Sequence, residues 1–475
     1  MVPAVISTMK GSSLEINLPY TLSFQTLAFN MDPFSAFITI LIAIIGILYG
    51  LKIFFTKQIK YKGNLLLFTI IAILLTTFAV NVQNGIYFYL AFSSLSLLML
   101  IFINLTSENR KEIILKSLPV YLSLVCMTVI IMTLSIFSNS MIFSDMVKAV
   151  ISSKNCCYFV FILGLVGFAI PALLSEQIVN ITKSENFMYS EPLFLWFLFY
   201  FLNFYCFLRF IGMGAVPSSL CQWICVVFIA VYAIFYTYKL IRTKDIQKTI
   251  SYTKIIQTTF SILAIIFGVN GYISGNFNIL IFGYMAALLF VVNLVFCSFA
   301  SEMHFKSDLQ NNSDISIATA LIAVGSYTGI PATLGFWAWL SFFYSLFLGY
   351  FSQELYIEQL SVFIILFSVI VFVAQICKLY SICKEYGYAP FEKYFPIFNL
   401  IISGMVIIFG IWFSKIFKLF VVPVSFFSGG TRFIDMFQSL GKLVNIISNC
   451  ILVLAIAVVF GFVLKFFIQK NSNHN

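Results

Sequence analysis

The chain has 475 residues, of which 61% are hydrophobic, 18% aromatic and 9% charged. A soluble protein draws about a quarter of its residues from Asp, Glu, Lys and Arg, so a soluble enzyme, a secreted disulfide scaffold and a disordered tail are excluded. The surplus of Lys and Arg (27) over Asp and Glu (17) leaves +10, but the basic residues lie in short loops between apolar runs. There they set membrane topology rather than bind nucleic acid.

Taken in chain order, Met1 to Asp32 is a mixed segment. It lacks the basic and apolar regions of a signal peptide and the Arg-rich amphipathy of a transit peptide. A helical span needs ~20 apolar residues, because its backbone groups must be satisfied inside the helix. Such runs fall near 34–55, 64–83, 86–105, 117–137, 157–175, 193–212, 219–240, 252–271, 278–300, 316–351, 359–380, 394–413 and 446–468. The 316–351 run is too long for one simple span and contains Gly325, Gly329 and Pro331, which predicts a broken helix or two short segments. An all-α polytopic membrane protein with about 13 transmembrane helices follows.

Charge then sets orientation. The odd-numbered loops carry Lys57, Lys60 and Lys62; Arg110, Lys111 and Lys116; Lys183; Arg242, Lys244 and Lys248; and Lys306. The positive-inside rule places them on the cytoplasmic or matrix side, with Met1 outside. The organisation expected is a non-membrane segment over 1–33, a transmembrane domain over 34–413, a stretch over 414–445, and a final span with its tail over 446–475. The 414–445 stretch, with Lys415, Lys418, Arg432 and Lys442, reads as a long loop or a helix lying on the membrane surface.

Chemistry-bearing residues are few. There is no P-loop, no Rossmann fingerprint and no Cys/His cluster. His304 and His474 read as solvated, and most of the ten cysteines sit in apolar runs as small hydrophobes. No cofactor or metal is expected on this chain. The 57 Phe suggest an AT-biased genome such as an organelle's.

Three stretches carry a resemblance. D-I-Q-K-T-I-S-Y-T-K-I (Asp245 to Ile255) resembles the D-L-K-R-L-L-A-Y-S-S-I signature of the antiporter-like subunits of respiratory complex I, NADH:ubiquinone oxidoreductase. S-Y-T-G-I-P-A-T-L-G-F-W (Ser326 to Trp337) is similar to their S-L-A-G-I-P-P-L-A-G-F-W, where Gly and Pro break a helix inside the membrane. The spaced Tyr284, Asn293 and Phe296 resemble the Y…N…F helix of NADH dehydrogenase subunit 2 more than those of subunits 4 or 5. Fainter echoes follow in order at Lys116, Ala169-Ile170-Pro171, Arg209 and Ser368-Val369-Ile370.

The resemblance implies inverted repeats of broken helices, a chain that starts two helices late, and an additional last span. It implies a membrane-arm subunit of a proton-translocating complex. The NADH, FMN, iron–sulfur and ubiquinone chemistry would lie on other subunits. Subunit 4, subunit 4L, accessory subunits and anionic lipid such as cardiolipin would be partners. The implied location is the mitochondrial inner membrane, or alternatively a bacterial plasma membrane.

In that family proton movement is attributed to buried Glu, Lys and His. Carried across one at a time, those positions fall at Ser93 or Ser94, Val166, Leu173, Tyr200 and Trp339, all neutral. Between residues 64 and 105 no Asp, Glu, Lys or Arg occurs. Ser and Tyr titrate far from neutrality and cannot store a proton at physiological pH. The expectation is a structural or coupling subunit whose own proton channel is degenerate. A pump that has relocated its charges, and a stand-alone cation or proton transporter, are the alternatives. The remaining charged candidates are Lys254, Lys378, Glu176 and Arg209. Lys254 is expected to snorkel to the basic side, and Arg209 to meet lipid phosphate or the last carbonyls of its helix.

Overall fold

A computed structural model describes residues 13–22, 25–55, 62–106, 110–171, 173, 191–211, 216–244, 246–302, 314–386, 397–428 and 441–456. The described part opens with an antiparallel hairpin, β1 (Leu14–Leu22) and β2 (Gln25–Met31), irregular between Leu18 and Thr21, where Pro19 cannot donate to the ladder. The hairpin docks on the turn after the second helix, where the Gln83 amide donates to the Ala28 carbonyl at 2.9 Å.

The helices are α1 (Pro33–Phe55), α2 (Lys62–Asn81), α3 (Gly85–Thr106), α4 (Arg110–Ser138), α5 (Phe143–Ser152) and α6 (Lys154–Gly164). A π turn over Leu165–Ala169 continues α6 towards Pro171. Then come α7 (Glu191–Ile211), α8 (Ser219–Arg242) and α9 (Ile246–Gly268). After a single turn at Asn270–Ile273 follow α10 (Phe277–Glu302), α11 (Asp314–Tyr327), α12 (Leu334–Tyr350) and α13 (Leu355–Tyr386). The last are α14 (Ile397–Ile411), α15 (Phe413–Ser425) and α16 (Gly441–Ile456).

By length and composition, 7 of the described helices can cross a membrane, or 8 counting one bent pair, and five of the others are shorter apolar helices. Their starts follow local rules. Asp32 caps α1 by accepting the Ser35 amide at 2.8 Å, with Pro33 in the first helical position. Ser153 and Ser218 cap α6 and α8 in the same way.

At the centre stands α10, buried along its length and packed on α9, α11, α12 and α14. In a bilayer, helix association rests on close packing rather than on expulsion of water, which favours small residues. Gly283, Ala286, Ala287, Ser298 and Ala300 supply them. By contrast α4, α8 and α13 bury one face and leave Ile136, Leu220 and Leu366 exposed on the other.

Within the stretch expected to be a long loop or surface helix, α15 turns away from α14 at 83°. It packs on both α1 and α10. Phe420 meets Phe37 (ring centroids 5.4 Å), and Phe427 meets Phe34 (5.1 Å) and Tyr284 (5.5 Å). The Tyr272 hydroxyl donates to the Phe427 carbonyl at 2.5 Å.

Candidate functional site

The long apolar run over 316–351 opens at Thr328–Thr333, between α11 and α12. Gly329 takes φ +75°, a left-handed conformation that glycine adopts without cost, and a Cβ there would lie 2.6 Å from the Trp339 ring. Ala332 takes φ +72°. The resemblance puts proline at that position, and proline, locked near −65°, cannot adopt it. The backbone here therefore departs from what the motif implies.

Irregular backbone inside a membrane survives only where protein or water satisfies its polar groups. Here protein does so. Ser326 donates its hydroxyl to Asn293 Oδ1 at 2.6 Å, and Asn293 Nδ2 donates back to the Ser326 carbonyl at 3.4 Å. The Gly335 amide donates to Ser326 Oγ at 3.3 Å, which starts α12. Gly335 has no room for a side chain, since a Cβ would fall 1.6 Å from the Ser326 carbonyl oxygen. The Trp339 indole N–H donates to the Tyr327 carbonyl at 3.1 Å, and the Tyr327 hydroxyl lies 3.2 Å from Ser298 Oγ.

Around this knot the packing is aromatic. Trp339 is buried against Phe260 (4.6 Å between centroids), Phe290 (5.4 Å), Phe372 (5.4 Å) and Phe343 (5.7 Å). The Tyr284, Asn293 and Phe296 pattern ties α10 to three neighbours: Tyr284 meets Phe427, Asn293 bonds Ser326, and Phe296 meets Phe409 at 5.7 Å.

The other neutral positions are spread through the fold. Ser93 and Ser94 each donate to the Leu90 carbonyl of their own helix, at 3.0 and 2.7 Å, and Ser94 faces outwards. Val166 is half-buried in the π turn, and Leu173 is buried just past it. Tyr200 is buried on α7 with its hydroxyl 3.3 Å from Ser261 Oγ. Of that set, Trp339 is the one that bonds to the break, through the Tyr327 carbonyl.

The charged candidates behave differently from expectation. Arg209 does not turn to lipid phosphate or to its helix carbonyls. Its Nη1 lies 2.5 Å from Asp32 Oδ2, with side chains only 14% and 2% exposed, and its guanidinium sits 5.4 Å from the Phe426 ring centre. A buried guanidinium needs an opposite charge, and Asp32, held in place as the cap of α1, provides it. Nor does Lys254 snorkel: it is 5% exposed on α9, with apolar Ile250 one turn nearer the helix start. Lys378 donates to the Thr243 carbonyl, joining the ends of α13 and α8. Glu176, His304 and His474 lie outside the described residues. Among the described residues no three His, Cys, Asp or Glu side chains come together as a metal site.

No family model matches the sequence, and no curated protein matches it. Solved structures do. A chain of respiratory complex I from Thermus thermophilus with bound NADH aligns at TM-score 0.63 and 14% identity, over 90% of this chain and 92% of that one. The likeness is one of fold. A chain of the Mrp complex from Dietzia sp. DQ12-45-1b aligns at TM-score 0.65 and 13% identity, over 89% of this chain and 48% of that one. A chain of the membrane-bound sulfane sulfur reductase, an archaeal respiratory membrane complex, aligns at 0.62 and 13%, over 86% and 70%.

Proposed function

We propose that this chain is a membrane-arm subunit of a proton-translocating NADH:ubiquinone oxidoreductase, most like subunit 2 and resident in the mitochondrial inner membrane. Redox chemistry belongs to other subunits, which carry NADH, FMN, iron–sulfur clusters and ubiquinone. The chain links neighbouring antiporter-like subunits, with subunits 4 and 4L beside it and anionic lipid around its basic loops, and its own proton path is closed. The observation that carries this reading is Trp339. Where the resemblance implies a lysine at the helix break, an indole fills the core, its N–H spent on Tyr327 and its faces covered by Phe260, Phe290, Phe343 and Phe372. An indole N–H only donates and a backbone carbonyl only accepts, so neither relays a proton.

A density map of the intact complex that resolves waters tests the closure. The expected result is no water file crossing between Asn293 and Trp339; a continuous file from one face to the other overturns it. Co-migration of the chain with NADH dehydrogenase activity on a native gel is the expected result for membership. A chain that runs alone and transports cations by itself would overturn that part.

A further inference from the structure

The carbonyls at the end of a helix lose their intrahelical donors, and α14 ends where the chain turns through 83° into α15. Two of its last carbonyls are taken up by side chains from other helices. The Trp337 indole N–H donates to the Gly410 carbonyl at 2.7 Å, and the Ser448 hydroxyl of α16 donates to the Ile411 carbonyl. Gly410 is itself pressed against the helix break. A Cβ there would lie 2.5 Å from both the Ala332 carbonyl oxygen and Thr333 Cα. On the other side of the bend Phe413, the first residue of α15, is buried and stacks on the Trp337 ring, with centroids 4.5 Å and planes 22° apart.

Trp337 thus grips both sides of the bend, and its own position is set by the break. It stands in the first turn of α12, whose start is fixed by the Gly335 amide on Ser326 Oγ at 3.3 Å. The far edge of the break and the near end of the strap, formed by α15 and Phe426–Ser428, therefore share one buried side chain. From Phe413 the contacts run on to Phe420 (5.7 Å between centroids), and from Phe420 to Phe37 on α1 (5.4 Å). Close-packed interiors have little slack and pass strain along such contacts.

We propose that the break at Thr328–Thr333 and the strap form one conformational unit jointed at Trp337: lifting the strap from α1 loosens the break, and opening the break releases the strap. Coupling of this kind is reciprocal, so each end responds to a change made at the other. With Trp412 55% exposed at the bend, a push from a bordering molecule reaches the break through this joint. The unit stands whether or not the chain moves protons, because it requires only that Trp337 serve both ends.

Hydrogen exchange read by mass spectrometry, on the full-length protein in its native assembly, tests the joint. Trp337→Phe keeps a ring but removes the donor to Gly410, and it is expected to speed exchange roughly tenfold across both 328–335 and 413–425. The deciding variant is Phe420→Leu, at a strap residue whose ring partners are Phe37 and Phe413. It is expected to speed exchange at 328–335 roughly threefold, and the double variant to gain less than the product of the two single effects. Faster exchange confined to α15 in Phe420→Leu overturns the proposal, as does a double variant that equals the product. Equal speeding of the π turn at Leu165–Ala169 also overturns it, since that marks general loosening rather than a joint.

Discussion

At Leu165–Ala169 the helix widens into a π turn, Ile170 bonding back to Leu165, and carries on to Pro171. At Thr328–Thr333 the helix opens altogether, with left-handed residues at Gly329 and Ala332 and a polar knot drawn from Asn293, Ser326 and Trp339. A π turn absorbs an extra residue while keeping its backbone bonds within the helix, so the first break needs shape from its neighbours and little else. Phe168 supplies it, stacked on Phe210 at 6.1 Å, as does Gly167, where a Cβ would fall 2.2 Å from Cys126 Cβ. The open break needs specific donors and acceptors from another helix. Fit holds the first break, and the second needs fit together with hydrogen bonds from another helix.

That contrast is open to direct attack, and the largest effect is expected at Gly335. Gly335→Ala drives a methyl group into the Ser326 carbonyl, 1.6 Å away, a cost beyond the ~1–3 kcal/mol typical of overpacking. The chain should be lost from the assembled complex, and no change at a neighbouring side chain should restore it. Asn293→Leu removes both bonds to Ser326 and should cost about 3 kcal/mol, at roughly 1–3 kcal/mol for each buried group left unpaired. Thermal unfolding of the complex would register it.

At the first break Gly167→Ala should cost about 2 kcal/mol, and here Cys126→Gly should recover most of the loss. Failure of that rescue would mean that the π turn depends on more than fit. Ala332→Gly should stabilise the open break by about 1 kcal/mol, the penalty an L-residue bears in the left-handed region, while Ala332→Pro should disrupt it. The smallest effect belongs to α5, which feeds the first break. There the Lys148 ammonium and the Ser140 hydroxyl hold the Asp145 carboxyl below its ordinary value. A depressed carboxylate stabilises above its unfolded pKa, and the contribution fades as pH falls through the folded value. Amide exchange at the start of α5 should therefore quicken only in acid, below the ordinary carboxylate range, and Asp145→Asn should abolish that dependence.

Much of this architecture is legible in the chain itself. The apolar runs define the helices because a bilayer leaves the backbone few options, and Gly329 with Pro331 marks the opening of the long run at the place where it occurs. The neutrality of Tyr200 and Trp339 needs only their letters. What stayed hidden was pairing across distance. The cap signal Asp32-Pro33 stands before the first apolar run, yet nothing local ties Asp32 to Arg209, 177 residues on. Lys254 has a stem long enough to reach the surface, and its burial comes from the packing of α9 against its neighbours.

The strap made by α15 and Phe426–Ser428 closes on Phe34, Phe37 and Arg209, residues synthesised long before it. Phe34 has Tyr205 as an earlier stacking partner, but α1 lacks the rings of α15 and Phe427 until that later segment is made. Phe420 and Phe427 then cover that helix. A polypeptide stopped short of residue 413 leaves the opening helix without its cover and the arginine without its ring. The packing of α1 thus reports whether α15 has been made.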